Sequence, residues 1–292
     1  MKQMKLFEME TLRRPMNVAC AKQRSPFRYP GGKTWFAPYA IRWLKQFDKN
    51  MTYIEPFAGG GIIGLTCAFE NLASKVILVE KDDDIAAVWQ TILGDDGKWL
   101  IRHILHFELT RKNVEEVFSK PISSLRDRGF ITFLKNRLNH GGILAEGAGL
   151  IKNGENGKGL ASRWYPNTLS KRIEDIISIK NKISFIHGDG FKVIEKYSQK
   201  ENIIFFLDPP YVQAARRLYR YFDIDHERLF EMISQVRGDF LITYDESDEI
   251  KILADKYNFE IEKVAMKTTL HYQKCELVIG RDLSWLREFL SD

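Results

Sequence analysis

The chain has 292 residues, of which 44% are apolar and 28% charged, a composition that suits one large or two smaller soluble domains. No apolar stretch approaches the length of a membrane span, and the start MKQMKLFEMETLRR lacks the apolar core of a signal peptide, so we expect a cytoplasmic protein that does not bind membranes. The three cysteines fit a reducing compartment rather than a disulfide framework, and no spacing of histidine with cysteine indicates a metal site.

The net charge of +5 is unevenly placed. Residues 97–180 contain 15 Lys/Arg against 8 Asp/Glu, a net +7, which leaves about −2 for the rest of the chain. A basic segment within a nearly neutral chain indicates an acidic partner, nucleic acid first, although an ordinary solvated surface would give the same count.

The first third of the chain predicts a flexible tail followed by a β-α-β unit. Residues 1–25 are polar, basic and without periodicity, which is typical of a tail. The elements that follow are a turn-rich loop at 27–33, a helix to about 47, a strand at 51–54, a helix at 62–71, a strand at 75–79 and a helix from 82. A glycine-rich loop follows the first strand of this unit, and an acidic residue follows the second.

The alternation breaks between about 94 and 180, where we predict an inserted, mostly helical domain. Its predicted elements are helical stretches near 99–118 and 124–138, a glycine-rich segment at 139–162 and a helix at 168–180. Within the glycine-rich segment, Leu150–Gly154 predicts a hairpin with an Asn-Gly turn.

The strand–helix rhythm then resumes to the end of the chain. Strands are predicted at 183–186, 203–207, 240–243, 259–264 and 276–279, and helices after 189 and at 226–236 and 247–257. This alternation predicts an α/β fold with a doubly wound, mainly parallel sheet. We divide the chain into a tail (1–25), a core domain (26–95 with 181–292) and an insertion (96–180).

A short motif after one predicted strand carries the most chemistry. Ile203–Leu207 are five apolar residues, which predicts a strand buried on both faces, and Asp208-Pro209-Pro210-Tyr211 follows at the edge where open α/β sheets bind ligands. The prolines have no N–H, so they end the strand in a stiff turn that fixes the direction of the Pro209 carbonyl. An acid, a fixed carbonyl and an aromatic ring together suit a flat ring with an amino group.

The glycine-rich loop indicates a nucleotide-like cofactor. Gly59, Gly61 and Gly64 satisfy G-x-G-x-x-G, and Glu80 lies 21 residues after the first glycine, as in dinucleotide-binding folds. Both NAD and S-adenosylmethionine offer an adenosine ribose for such an acid. Glu55, just before the glycines, would repel a pyrophosphate but suits the cationic amino end of a methionine. We therefore favour S-adenosylmethionine, with Glu80 either as a ribose ligand or as an ordinary surface acid.

Three motifs in this order resemble the Dam-like family of DNA adenine-N6 methyltransferases: Tyr29-Pro-Gly-Gly-Lys33, Glu55-Pro-Phe-x-Gly-x-Gly61 and Asp208–Tyr211. The similarity covers nearly the whole chain, including the basic insertion, which in the family is the target-recognition domain. It implies a Rossmann-like methyltransferase core. The family usually has Asp and an Asn-containing turn after the second strand, whereas this chain has Glu80-Lys81-Asp82, so the ribose contact would fall to Glu80 or to Asp82.

The resemblance also implies roles for individual residues. The expected site for S-adenosylmethionine comprises Tyr29, Lys33, Glu55, Phe57, Gly59, Gly61, Glu80, Asp189 and Asp208. Lys33 would pair with the carboxylate of the cofactor and Asp189 with its adenine amino group, although a basic first helical turn and a helix N-cap would explain these two residues equally well.

The catalytic residues implied are Asp208, Pro209, Pro210 and Tyr211. The lone pair of adenine N6 is delocalised into the ring, and hydrogen bonds from N6 to the Asp208 carboxylate and the Pro209 carbonyl would release it for direct in-line methyl transfer. The adenine would be flipped out of the duplex and stacked on Tyr211.

Double-stranded DNA is the expected partner. Phosphate contacts are predicted from some of Arg126, Arg128, Lys135, Arg137, Lys152, Lys158 and Arg163, with the glycine-rich hairpin in a groove. The enzyme would act as a monomer or weak dimer in the nucleoid. It would be solitary, phage-derived or one half of a restriction–modification pair with a separately encoded endonuclease.

Four alternatives remain open at this point. A cytosine-N4 methyltransferase shares the chemistry but usually carries Ser in place of Asp208. An RNA or protein methyltransferase would share the fold. An NAD-dependent dehydrogenase leaves Asp208–Tyr211 unexplained, and a non-catalytic DNA-binding module would need no acid there.

Overall fold

The computed structural model describes residues 21–28, 31–145, 147–211, 223–267 and 273–291. A seven-stranded sheet has the order β3-β2-β1-β4-β5-β7-β6. Its strands are β1 Thr52–Glu55, β2 Lys75–Glu80, β3 Ile183–His187, β4 Ile203–Leu207, β5 Asp239–Asp245, β6 Glu260–Lys267 and β7 Gln273–Gly280. Neighbours from β3 through β5 are parallel, and β7 runs antiparallel between β5 and β6. The predicted doubly wound, mainly parallel sheet is confirmed.

Helices cover both faces of the sheet. They are α1 Ala37–Leu44, α2 Ile62–Phe69, α3 Asp83–Leu93, α4 Gly97–His106, α5 Arg111–Ser119, α6 Leu125–Leu138, α7 Pro166–Ser178, α8 Gly190–Tyr197, α9 His226–Ser234, α10 Asp248–Lys256 and α11 Ser284–Ser291. All five residues of β4 are buried: Ile204 and Phe206 pack with α1, α2, α3 and α11, and the alternate residues pack with α8, α9 and α10. In the described parts of the chain no helix is long and apolar enough to cross a membrane.

The segment between α3 and β3 is mostly helical. Its helices α4 to α7 share one apolar core with α3, in which Leu100, Phe133 and Ile173 lie in the same cluster as Trp89. The single helical stretch predicted near 99–118 is two helices, because Thr110 ends the turn between them and its hydroxyl accepts the Asn113 N–H at 3.1 Å. Residues 96–180 as a separate target-recognition domain stay a prediction.

The predicted hairpin at Leu150–Gly154 is wrong. Leu150 makes only an isolated bridge to Asn139, and Gly154 instead turns the chain back so that the Gly159 N–H donates to the Asn153 carbonyl at 2.8 Å. A side chain at Gly154, which has a φ of +64°, would lie 2.4 Å from the Gly159 carbonyl oxygen. The Asn-Gly turn therefore closes a compact loop with short 3-10 turns rather than pairing two strands.

The predicted tail ends earlier than expected. Arg24 pairs with Glu70, and Ser25 is fully buried and accepts a hydrogen bond from Arg172 at its carbonyl. The prediction of a flexible tail is therefore wrong for residues 24 and 25, because they pack on the core. Residues 1–20 and the candidate Tyr29 lie outside the described residues.

Candidate active site

A cavity of about 480 Å³ lies at the carboxyl ends of strands β1 to β4. Its wall contains residues of the four loops that follow these strands, at 55–62, 80–82, 189–192 and 208–210, together with 32–33 ahead of α1. The volume falls within the range of roughly 300 to 1,000 Å³ that is usual for small-molecule sites. Parallel strands bring their carboxyl ends together, so motifs far apart in sequence meet here.

The glycine-rich loop after β1 forms one wall of this cavity, and its backbone conformation favours glycine. Gly59 and Gly61 adopt φ angles of 47° and 59°, in the left-handed region. A side chain at Gly61 would come within 2.9 Å of Trp89, whose indole N–H donates to the Gly59 carbonyl at 2.8 Å. Both glycines line the cavity, and their contact with a cofactor stays a prediction.

Glu80 holds this loop in shape. Its carboxylate accepts the N–H groups of Gly59 at 2.9 Å and of Lys81 and Asp82 at 2.8 Å. Burial raises the pKa of Glu80 to about 7, although these hydrogen bonds oppose the shift. Asp82 caps α3 by accepting the Asp84 and Ile85 N–H groups. Both acids line the cavity, so the structure leaves Glu80 and Asp82 as the two candidates for a ribose contact.

Glu55 lies beneath the loop rather than projecting fully into the cavity. It is only 3% exposed, and its Oε2 accepts the Gly64 N–H at 2.7 Å and the Tyr53 hydroxyl at 3.1 Å. Burial raises its pKa to about 8. Gly64 is required here, because a Cβ would lie 2.7 Å from the Glu55 carboxylate. Glu55 still contributes to the cavity wall, where a cation would favour its ionised form.

At the end of β4, Asp208 belongs to a buried polar cluster. Its Oδ1 contacts Lys33 Nζ at 2.9 Å, accepts the Thr243 hydroxyl at 2.9 Å and lies 3.3 Å from the Tyr211 hydroxyl. Lys33 Nζ also lies 3.2 Å from Oε2 of Glu276 and donates to the Tyr211 oxygen. The Tyr211 hydroxyl has a single hydrogen, and its shorter contact, 3.0 Å, is with Glu276 Oε1. One ammonium, two carboxylates and a phenol thus share one site.

The electrostatics of this cluster follow from its burial. Burial lowers the pKa of the Lys33 ammonium, but Asp208 and Glu276 outweigh it, and the pKa is raised. For Glu276, burial and Asp208 raise the pKa, while Lys33 opposes them. Lys33 lines the cavity, but its ammonium is 4% exposed and lies against the carboxylates of Asp208 and Glu276, so the expected contact with a cofactor carboxylate stays a prediction.

The two oxygens of Asp208 are in different situations. Oδ1 has two close donors, Lys33 and Thr243, at 2.9 Å each, whereas Oδ2 has no hydrogen-bond partner among the residues that the structure describes. The side chain is 23% exposed and lines the cavity. Asp208 therefore presents one anchored oxygen and one oxygen that can accept from a ligand.

Asp189 is a helix cap that also lines the cavity, and its expected contact with the cofactor adenine stays a prediction. It caps α8 by accepting the Phe191 N–H at 2.9 Å, and it lines the cavity with its side chain 31% exposed. Its Oδ2 lies 3.0 Å from Lys81 Nζ. Burial raises the pKa of Asp189, but the hydrogen bonds from Lys81 and the Phe191 N–H, together with the charges of Lys81 and Lys192, outweigh burial, so the pKa is lowered.

The remaining predicted residues divide between the wall and the interior. Phe57 lines the cavity and packs edge-on against Phe191 at 6.1 Å, and Pro210 also lines it. Pro209 is buried and is not among the described residues of the wall. Sequence reasoning missed Glu276 and Thr243, because they reach Asp208 only through the order of the strands.

The basic residues of the insertion differ in their exposure. Arg137 is buried and donates to the carbonyl of Arg163 at 2.9 and 2.7 Å, so the predicted phosphate contact from Arg137 is wrong. Arg128 pairs with Asp84 at 3.2 Å, and Lys152 is exposed. A second cavity, of about 620 Å³, is lined by three cationic residues together with glycines and the apolar Leu150 and Ile151, and none of the described residues around it is acidic.

The chemistry of the first cavity fits S-adenosylmethionine. Glu55 and Asp208 would face its cationic methionine end, the acids Glu80 and Asp189 can accept from hydroxyl and amino groups, and Phe57 supplies an apolar surface. Within the described ranges no cluster of three or more His, Cys, Asp or Glu could hold a metal ion.

The chain is similar, at low sequence identity, to several solved structures. Among solved structures, a putative methyltransferase from Escherichia coli is 11% identical, with 85% of this chain and 86% of that chain covered and a TM-score of 0.38. A putative RNA methyltransferase from Pyrococcus horikoshii is 11% identical over 92% of this chain and 91% of its own, with a TM-score of 0.39. An S-adenosylmethionine-dependent methyltransferase from Agrobacterium tumefaciens is 9% identical over 86% and 62%, with a TM-score of 0.41. No curated protein matches the chain.

The family of D12 class N6 adenine-specific DNA methyltransferases matches residues 29–137. The match spans the first two motifs and part of the insertion, and it ends before Asp208. It supports a methyltransferase whose cofactor is S-adenosylmethionine. The resemblance inferred from the motifs is thereby confirmed, and over residues 29–137 the chain is similar to the D12 class of N6 adenine-specific DNA methyltransferases.

Proposed function

We propose that this protein is a site-specific DNA methyltransferase that transfers a methyl group from S-adenosylmethionine directly to N6 of a flipped-out adenine. The observation that carries the proposal is the asymmetry of Asp208, which lines the cavity with Oδ1 held by Lys33 and Thr243 and with Oδ2 lacking a partner among the described residues. An amino group that must be held in one direction needs an acceptor of this kind.

The role of Asp208 follows from its charge and its orientation. When bound, S-adenosylmethionine supplies a methyl group on a sulfonium. Asp208 Oδ2 would accept one N6 hydrogen, orient the nitrogen lone pair towards the methyl and stabilise the positive charge that develops on N6. The N–C bond would form as the S–C bond breaks, the sulfur would leave as a neutral thioether, and N6 would then lose one proton to solvent. Because Oδ1 is already anchored, the carboxylate does not have to reorganise during the reaction. The predicted acceptance of the second N6 hydrogen by the Pro209 carbonyl, and the stacking of Tyr211 on the base, remain part of the proposal.

A cationic surface beside the active site supports DNA as the substrate. Arg28, Lys152 and Arg163 line the second cavity. Burial and the nearby Arg163 lower the pKa of Arg28, and burial together with Arg28, Arg172 and Arg163 lowers the pKa of Arg137 to about 9. Phosphates of a nucleic acid are the anionic ligand that a basic insertion most readily binds.

The insertion also reaches the reaction site. Gly142, Leu144 and Ala145, in the loop after α6, form part of the wall of the first cavity. Asn136 fixes this loop, since its amide donates to the Gly142 carbonyl at 3.0 Å and to the Arg28 carbonyl at 2.7 Å. DNA held by the insertion would therefore lie next to Asp208, as the transfer of a methyl group to a base requires.

Methylation-sensitive sequencing of DNA from cells that express the protein tests the proposal. The wild type should produce N6-methyladenine in one sequence context, and Asp208→Ala should lower methylation about 100- to 1,000-fold. Asp248→Ala, which removes a carboxylate that is 93% exposed, is the matched control and should keep full activity. Folded wild-type protein without N6-methyladenine above background would refute the proposal, and N4-methylcytosine would replace adenine by cytosine as the target.

A further inference from the structure

Glu276 is the second carboxylate of the cluster around Lys33 and belongs to none of the motifs. It lies on β7 and is 2% exposed, with its oxygens 3.2 Å from Lys33 Nζ and 3.0 Å from the Tyr211 hydroxyl. A carboxylate buried this deeply is unfavourable unless it is paired, and a neutral residue of similar volume would fill the space at lower cost. Packing alone therefore does not explain an acid at this position.

We propose that Glu276 is a positioning residue for methyl transfer: it shares the Lys33 ammonium with Asp208 and holds the Tyr211 hydroxyl, so that Asp208 keeps its Oδ2 and its negative charge for the substrate amino group. This inference rests on the proposed function, because it assumes that Asp208 binds the amino group that becomes methylated.

The charge balance of the cluster is the first argument. With both acids ionised, Asp208, Glu276 and Lys33 carry one net negative charge next to the position of the amino group. If Glu276 were neutral, Lys33 would neutralise Asp208 alone, and no net charge would remain to stabilise the positive charge that develops on nitrogen. The second carboxylate therefore strengthens the first without touching the substrate.

The hydrogen bonds of Tyr211 give the second argument. The phenol can donate one hydrogen, and the shorter contact to Glu276 directs that hydrogen away from Asp208. Lys33 donates to the same phenol oxygen, which fixes its orientation. Glu276 thereby holds both neighbours of Asp208 in place, and Oδ1 has the two remaining donors, Lys33 and Thr243, at 2.9 Å each.

The inference implies a dependence on pH that a structural role would not produce. The charged groups that face Glu276 are Lys33, Asp208 and, directly across on β5, Asp245, while its partner on β6 is the apolar Val264. Burial raises the pKa of Glu276 above that of an ordinary carboxyl. As the pH falls through this raised pKa, Glu276 gains a proton and becomes neutral. The cluster of the wild type then carries the same net charge as the cluster of the Glu276→Gln variant.

The test compares Glu276→Gln with the wild type and with Glu262→Gln, a control on the neighbouring strand whose acid pairs with Arg287 at the surface. In single-turnover assays at neutral pH, Glu276→Gln should lower the rate of methyl transfer about 10- to 100-fold, with the dissociation constants for S-adenosylmethionine and DNA within about threefold of the wild type. The ratio of the two rates should shrink as the pH is lowered. Glu276→Asp, which keeps the charge, should recover part of the rate.

The possible outcomes separate this inference from the proposed function. An unchanged rate in Glu276→Gln, with an active wild type, would overturn the inference alone, and so would a loss that is the same at every pH. A folded wild type that does not methylate DNA would refute the proposed function and the inference with it. If Glu276→Gln does not fold, the dependence of the wild-type rate on pH tests the inference instead. A wild-type rate that stays constant as the pH falls, down to the pKa range of ordinary carboxyl groups, would also overturn the inference.

Discussion

Replacing Glu55 by Gln should flatten the decrease in stability that the protein undergoes as the pH rises. The Glu55 carboxyl is buried, accepts the Gly64 N–H at 2.7 Å and the Tyr53 hydroxyl at 3.1 Å, and has a pKa raised to about 8 by its burial. Gln has nearly the same shape, and its carbonyl oxygen can accept the Gly64 N–H. The substitution therefore removes the ionisation and leaves the packing.

The sign and size of the effect follow from linkage. Between the ordinary pKa of 4.5 and the folded value of about 8, the folded protein keeps a proton on Glu55 that the unfolded chain has lost. The free energy of unfolding is highest below this interval and decreases through it, by about 4 kcal/mol between pH 5 and pH 9 for this group. Glu80, whose pKa of about 7 is also raised, adds a smaller decrease in the same direction. Glu55→Gln should remove only the share that belongs to Glu55.

Urea unfolding at pH 5, 7 and 9 measures this difference. The variant and the wild type should have similar free energies of unfolding at pH 5, and the variant should be more stable by several kcal/mol at pH 9. Glu262→Gln, which alters an acid at the surface, should follow the wild type at every pH. Parallel curves for Glu55→Gln and the wild type would show that Glu55 ionises normally, which would refute the reasoning.

Three further predictions concern the loop, the cofactor and DNA. Gly64→Ala should destabilise the protein by about 1 to 3 kcal/mol in urea unfolding, because its Cβ would lie 2.4 Å from the nearest side-chain carbon, whereas Gly149→Ala, with nothing within 4 Å, should have little effect; equal values would contradict the packing argument. Asp189→Asn keeps a helix cap but loses the charge, so calorimetry should find S-adenosylmethionine bound about tenfold more weakly, and an unchanged affinity would exclude Asp189 from the cofactor site. Lys152→Ala should reduce the slope of log affinity for DNA against log salt by about one, while Lys171→Ala, whose ammonium already pairs with two acids, should not; the same slope in both would remove Lys152 from the DNA contacts.

The sequence predicts the strands of the core well because their signals are local. Ile203–Leu207 has the predicted bounds, since five apolar residues precede two prolines that cannot continue a strand. The predicted hairpin at Leu150–Gly154 failed although its Asn-Gly signal is also local. There the glycines permit a close approach of Gly154 to Gly159 that no pairing rule anticipates. A local sequence pattern therefore predicts an element reliably only where the neighbouring residues permit a single backbone conformation, as the prolines do after Leu207.

The cluster around Asp208 could be predicted only in part, for a physical reason. The motif residues Lys33, Asp208 and Tyr211 were identified from the sequence, whereas Thr243 and Glu276 were not. Thr243 reaches the site because β5 pairs in parallel with β4, with Leu207 opposite Ile242, and Glu276 reaches it because β7 pairs antiparallel with β5. Nothing near residue 276 in the sequence indicates which strand lies beside it. Residues brought together by strand order alone are visible only in the structure.

The meeting of Lys33 and Asp208, 175 positions apart, can itself be derived from the periods of helix and strand. Phe36 stacks on Phe206 with ring centroids 5.9 Å apart, which joins the turn before α1 to β4. Lys33 lies three residues before Phe36 in the same 3-10 turn, so the two side chains project to the same side. Asp208 lies two residues after Phe206, so it too projects to the same side as its aromatic neighbour. One apolar contact in the core thus sets the register of the two polar residues above it, and the ion pair between Lys33 and Asp208 follows from packing rather than from attraction between distant charges.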